Sequence, residues 1–338
     1  MERSLARPRW RVAAACAGIL LGLWLTRRIW LALLTQLLAG YILMALALPL
    51  CRRLEKRLSP GTAALLSFAA LTMAAAGALL MLIPPLAAQF RLLVASFPAF
   101  LTWLQGMLSS GQALLERWGL NLTPVRDELF SAVSKQAGIA VSGLAGLAGQ
   151  VVSGLGKVVL APLIGFYLLR DRRKISSLLI LMLPVRWRAQ AVRAGREMRR
   201  ETAGFLRGQL FVSAIVAVLT ALGLMLVKTP GWLALGLLMG MMELIPYIGP
   251  FIAGVPAVLL ALQGGLWQAA WTLAVILLVQ QLEGNLLSPR LMSGATKLHP
   301  LLVLLAVSAG GMAGGALGML LALPAVVSLR GALRGLRR

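Results

Sequence analysis

Two glutamates set inside long apolar stretches are the residues of this chain best placed to do chemistry. Glu243 stands in Met-Met-Glu-Leu-Ile-Pro-Tyr-Ile-Gly-Pro, residues 241–250, and Glu283 in Gln-Gln-Leu-Glu-Gly-Asn, residues 280–285. An ionisable side chain at membrane depth is costly and marks a proton relay, an ion path or a ligand contact. Glu243 fits that reading. It fits equally a carboxylate bonded to amides freed by Pro246 and Pro250, holding a break in shape. On a helix, Gln280 and Glu283 share one face, while Gln281 and Asn285 share the neighbouring one. Lipid would reject such faces, so they should look into a bundle or a wet path, unless the segment already emerges at the interface. His299, the single histidine, precedes Pro300 at the start of the last apolar segment. It could pass protons near neutrality or simply cap that helix. A relay through Glu243, Glu283 and His299 is thus one expectation. Lys157 is the only basic residue well inside an apolar run, where it could pair with a glutamate or snorkel outward.

Enzyme chemistry finds little support. Gly154-Leu155-Gly156-Lys157 lacks the earlier glycine and the hydroxyl residue of a phosphate-cradling loop. Cys16 and Cys51 have neither disulfide nor metal spacing. No metal, no cofactor and no enzymatic activity are expected. Uphill movement of a solute would need an ion gradient or a partner.

The glutamates are positioned by two long interrupted segments. Residues 231–262 are broken at Pro246, Gly249 and Pro250, and residues 300–329 at Gly310, Gly311, Gly314 and Gly315. A helix of about 20 residues crosses the hydrocarbon core. Each segment is too long for one upright span, and each half is too short for one. Paired interrupted segments point to a transporter's binding site. Two topologies fit. In one, 231–262, 267–286 and 300–329 each cross, giving eight spans. In the other, 231–262 and 300–329 are re-entrant hairpins, which places Arg290 and Lys297 inside as the charge rule prefers. Residues 208–263 and 266–329 then form an inverted repeat. The four-residue spacing of Gly310, Gly314 and Gly318 also suits one continuous, tightly packed helix.

A hydrophobic content of 59% and a mean hydropathy of +0.87 exclude an ordinary soluble domain. The net charge of +23 falls in clusters between apolar runs, around Arg3–Arg11, Arg52–Arg57, Arg170–Arg207 and Arg330–Arg338. That marks cytoplasmic loops, not a nucleic-acid surface. The expected architecture is all-α and polytopic, with about eight membrane segments, two of them broken or re-entrant. Residues 1–85 hold the first transmembrane helices, at about 10–26, 29–48 and 60–85. Residues 86–142 should form short amphipathic extracytoplasmic helices, with a helix start at Thr123 and Pro124. Residues 143–170, rich in glycine from Gly143 to Gly156, make a fourth span. A basic cytoplasmic helix (171–207), a core (208–329) and a basic tail (330–338) complete the chain. Both termini are expected in the cytoplasm of a bacterium, with the chain in its inner membrane.

Several motifs carry a resemblance: Phe166–Arg172, Phe205–Leu210, Glu243–Phe251, Ser288-Pro289-Arg290, Leu298-His299-Pro300, and the glycines 310, 311, 314, 315 and 318. With these, residues 160 to 328 resemble the autoinducer-2 exporter family of bacterial membrane proteins. The resemblance implies a permease-like fold of seven or eight membrane segments and a homo-oligomer. Family members are associated with export of autoinducer-2, with sodium or lithium/proton antiport, or with sporulation. The expected function is therefore a secondary transporter of a small polar solute such as autoinducer-2, coupled to ions or protons. Glu243, Pro246, Gly249, Pro250, Gln280, Glu283, Asn285, Gly310, Gly311 and Gly314 would line the path. Alternatives are a monovalent cation/proton antiporter and a non-transporting scaffold. The lipid bilayer is the expected environment.

Overall fold

A computed structural model of the chain describes residues 26–116, 159–245, 248–291 and 298–337, with scattered positions between 124 and 146. Among these residues every regular element is helical. The expected first span, Thr123, Lys157, Pro246, Tyr247 and most of the Gly143–Gly156 run lie outside the described residues.

Helix α1 spans Arg27–Leu54, longer than the expected second span, and its last turn carries Arg52 and Arg53. Positive charge there complements the exposed carbonyls of the helix C-terminus. The basic loop ends at Ser59, whose Oγ accepts the Thr62 amide at 3.4 Å and so caps the next helix. That helix, α2, runs without interruption over Pro60–Glu116. The expected break at Pro84 and Pro85, with short helices beyond it, is corrected. Each proline removes one amide donor, but the helical spacing of Phe90, Leu93, Val94 and Phe97 continues past them.

Helix α3 (Ala161–Arg170) packs on α1 and the start of α2. Helix α4 (Arg172–Leu181) buries none of its residues. Helix α5 then runs over Val185–Leu226. The expected basic cytoplasmic helix and fifth span are therefore parts of one rod. No proline interrupts residues 185–226, so the change from basic to apolar composition bends nothing.

The first interrupted segment folds into helices α6 (Trp232–Met242) and α7 (Ile248–Ala261). A side chain at Gly249 would strike the Met242 carbonyl, so α7 starts directly against the end of α6. Val212, Val216, Leu235, Met239, Ala257 and Ile276 share a core that ties this hairpin to α5 and to α8 (Leu266–Leu282). A π-turn over Glu283–Leu287 and one helical turn, Ser288–Leu291, follow.

Helix α9 covers Pro300–Arg337 but is not straight: Gly315 has φ 62° and ψ −145°. A side chain at Gly310 would collide with the Gly318 carbonyl and with Ala322. In a straight helix residues eight apart are separated by about 12 Å, so the chain doubles back. The continuous-helix alternative for 300–329 is thereby corrected, and the segment is a hairpin. The segment expected as a basic tail is helical to Arg337.

Among the described residues, five helices are long and apolar enough to cross a membrane, and three shorter apolar helices accompany them. Leucines such as Leu33, Leu34, Leu222, Leu277 and Leu278 point outward, as lipid-facing surfaces require. The chain is a polytopic all-α membrane protein.

Candidate functional site

At the break in the first hairpin, backbone amides on either side find carbonyl partners. At the end of α6, Glu243 N–H donates to Met239 O at 2.9 Å, Leu244 N–H to Met241 O at 3.2 Å, and Ile245 N–H to Met242 O at 2.9 Å. Gly249 N–H donates to Ile245 O at 2.9 Å to begin α7. The carbonyl of Glu243, left over by the break, accepts the side-chain amide of Gln209 at 2.6 Å. Both residues are buried. Gln209 thus clamps the break from α5, and the Glu243 carboxylate is not needed for that purpose.

That carboxylate is the unusual group. Glu243 is 4% exposed, and its Oε2 has no hydrogen-bond partner among the described residues. The same holds for Gln280 Nε2. Gln280 stands beside the carboxyl group, and the charge of Glu283 acts on it. An unmatched buried polar atom costs about 1–3 kcal/mol, and two in one place are rare in a purely structural setting. Glu283 opens the π-turn, and Ser288 Oγ donates to its Oε1. Single π-turns inside helices recur at functional sites.

These groups share one cavity of about 890 Å³ between α5, the first hairpin, α8 and the turn after it. Gln209, Glu243, Gln280, Glu283 and Ser288 supply its polar wall, and Pro250 lies at its edge. The second hairpin touches it through Val303 and Leu323. Among the described residues, no Lys, Arg or His lines it. Two acidic side chains beside neutral polar groups disfavour anions and suit neutral or positive solutes.

Other residues of the sequence reading lie elsewhere. Asn285 is exposed and donates to Gln281 Oε1 at 2.9 Å. Gly249 packs on Met242, and Gly310 and Gly311 pack on Gly318 and Met319 within the second hairpin, while Gly314 faces open space. His299 is exposed, and its Nδ1 accepts the Leu301 amide at 3.3 Å, a capping contact. Its neighbour Leu298 reaches the cavity wall. Pro246 lies outside the described residues. Gln209 and Ser288 belong to the motifs of the family resemblance but are not among the expected path residues. Gln209 is a buried polar residue early in an apolar run, which was the available signal. Ser288 meets Glu283 across five residues, a π spacing that α-helical periodicity does not show.

The model of a protein family described as AI-2E family transporter matches residues 14–338. Among curated proteins, YrrI of Bacillus subtilis, provisionally named a transport protein, is 28% identical over 91% of this chain and 86% of its own length. YueF of the same organism, likewise provisionally named a transport protein, is 30% identical over 61% of this chain, and the match spans about half of YueF, 56%. A permease, again provisionally named, PerM of Escherichia coli, is 33% identical over 49% of this chain and 48% of its own length.

Proposed function

Because this chain belongs to the AI-2E transporter family, we propose that it is a secondary transporter that carries a small polar solute through the Glu243 cavity. The observation that carries this reading is a pair of buried polar atoms, Glu243 Oε2 and Gln280 Nε2, with no hydrogen-bond partner at normal geometry among the described residues, on residues that line a cavity of about 890 Å³. A solute with hydroxyl or amide groups, or a coupling ion, would complete them. A solute such as autoinducer-2, moved with protons or a cation, fits the volume and polarity.

Irregular backbone inside a membrane protein is tolerated where it is buried or lines water. The end of α6 at Glu243 meets that condition, because Gln209 holds its carbonyl and Glu243 lines the cavity. Glu243 is the coupling residue of this reading, and Gln280 and Glu283 provide polar contacts. The two glutamates lining the cavity, with no basic side chain beside them among the described residues, also support a second reading, in which a monovalent cation exchanging with protons is itself the cargo. The proposed setting is the inner membrane of a bacterium, with both termini inside and several copies of the chain together.

Purified protein in proteoliposomes distinguishes these readings. Flux of labelled autoinducer-2, lost in Glu243→Gln, supports solute transport. Sodium- or lithium-driven proton movement lost in the same variant supports antiport. We expect the variant to lower the relevant flux by about tenfold or more. If the wild type moves none of these species, or if Glu243→Gln transports normally, the proposed role of the cavity fails.

A further inference from the structure

A second cleft, of about 290 Å³, lies away from the transport cavity, where α1, α3, α4 and α5 meet. Four guanidinium groups line it: Arg52 on α1, Arg172 and Arg173 on α4, and Arg199 on α5. Tyr41 and Ser176 add hydroxyls. Only Arg172 has its charge matched, by an ion pair with Glu55 and a 3.5 Å contact to Cys51 Sγ. Arg52, Arg173 and Arg199 form no ion pair among the described residues.

Gathering like charges in one cleft is unfavourable by Coulomb's law. The N-cap of α4 is the acidic Asp171, which answers the helix dipole but lies at the helix end and not among the cleft's lining residues. An anion in the cleft relieves the repulsion among the arginines. The planar fork of arginine matches phosphate oxygens two at a time.

The walls of the cleft narrow the choice of anion. Leu48, Leu168 and Leu179 line it beside the arginines. Just outside, Leu178, Leu181 and Met182 are exposed, and the guanidinium of Arg186 lies 5.2 Å from the centre of the Trp187 ring. Exposed leucines among arginines, with a tryptophan alongside, characterise a segment lying in the headgroup layer. Basic pockets between membrane helices on the cytoplasmic side suit phospholipid headgroups.

We propose that this cleft binds the phosphate of an anionic phospholipid. Arg52, Arg173 and Arg199 close on the phosphate oxygens, and Leu48, Leu168 and Leu179 meet the glycerol and first methylenes. The site is independent of the solute carried by the main cavity.

Native mass spectrometry of the full chain, released from nanodiscs of phosphatidylcholine containing phosphatidylglycerol, tests this directly. The wild type should retain phosphatidylglycerol in preference to phosphatidylcholine. Arg173→Gln with Arg199→Gln should weaken retention roughly 30-fold. Arg53→Gln with Arg57→Gln removes the same charge outside the cleft and should leave retention unchanged. Equal losses in the two pairs, or no preference for the anionic lipid, would overturn the proposal. Displacement of the lipid by millimolar inorganic phosphate would assign the cleft to a soluble phosphate compound and overturn the lipid assignment. Should the double variant not fold, Arg199→Gln alone decides, with a roughly fivefold weakening expected and none overturning the site.

Discussion

At the scale of single residues, the site separates two jobs that a sequence cannot tell apart. Either the Glu243 side chain or some other group had to hold the break in the first hairpin, and Gln209 does so through the Glu243 carbonyl. The two residues should therefore behave differently when changed. Gln209→Leu leaves a buried carbonyl without its donor, a cost of about 1–3 kcal/mol. Its thermal unfolding midpoint in detergent should fall. Glu243→Gln keeps shape and removes only the ionisable group, so its midpoint should match the wild type while its flux is lost. If both variants unfold early, Glu243 is a structural residue after all. Glu243, Gln280 and Glu283 were legible in the sequence because polar side chains in apolar runs stand out. Gln209 was less so, since a single glutamine near a cytoplasmic boundary needs no explanation until its partner is seen 34 positions away.

At the scale of elements, the breakers proved unequal. Pro84 and Pro85 sit inside an unbroken helix, whereas Gly315 reverses the chain. The difference is conformational. Proline keeps a helical φ, at the cost of one donor and a crowded carbonyl one turn back, while the φ and ψ of Gly315 are open essentially to glycine alone. The sequence showed a cluster of glycines, and four-residue spacing could not say whether they served close packing or a turn. Both occur: Gly310 lies against Gly318 across the hairpin, and Gly315 turns it. Gly315→Ala should cost about 1–3 kcal/mol, read as a lower unfolding midpoint. Gly314→Ala, with open space around it, should stay within about 0.5 kcal/mol of the wild type. Equal effects at the two positions would mean that the reversal lies elsewhere. The π-turn at Glu283–Leu287 left no periodic trace, because one extra residue in a turn is invisible to a pattern read over several turns.

At the scale of the whole molecule, the order of a span followed by a hairpin occurs twice, as α5 with α6–α7 and as α8 with the two arms of α9. If both hairpins are re-entrant, the loops near residues 59, 291 and 299 all face the cytoplasm, while the far part of α2 faces outward. An impermeant thiol reagent checks this on a chain with Cys16 and Cys51 replaced. In intact cells, Ser59→Cys, Leu291→Cys and His299→Cys should stay unlabelled and Ser110→Cys should react. Labelling of the 291 and 299 positions from outside would instead require three full crossings. The length of α5 carries a mechanical consequence. It holds 42 residues and is therefore about 63 Å long, roughly twice the hydrocarbon thickness. Trp187 stands 22 residues from Gln209, about 33 Å along the same axis. A tilt of 10° pivoting at Gln209 would sweep the Trp187 end through about 6 Å, and the arm of α9 that Arg334 ties to Glu201 would travel with it.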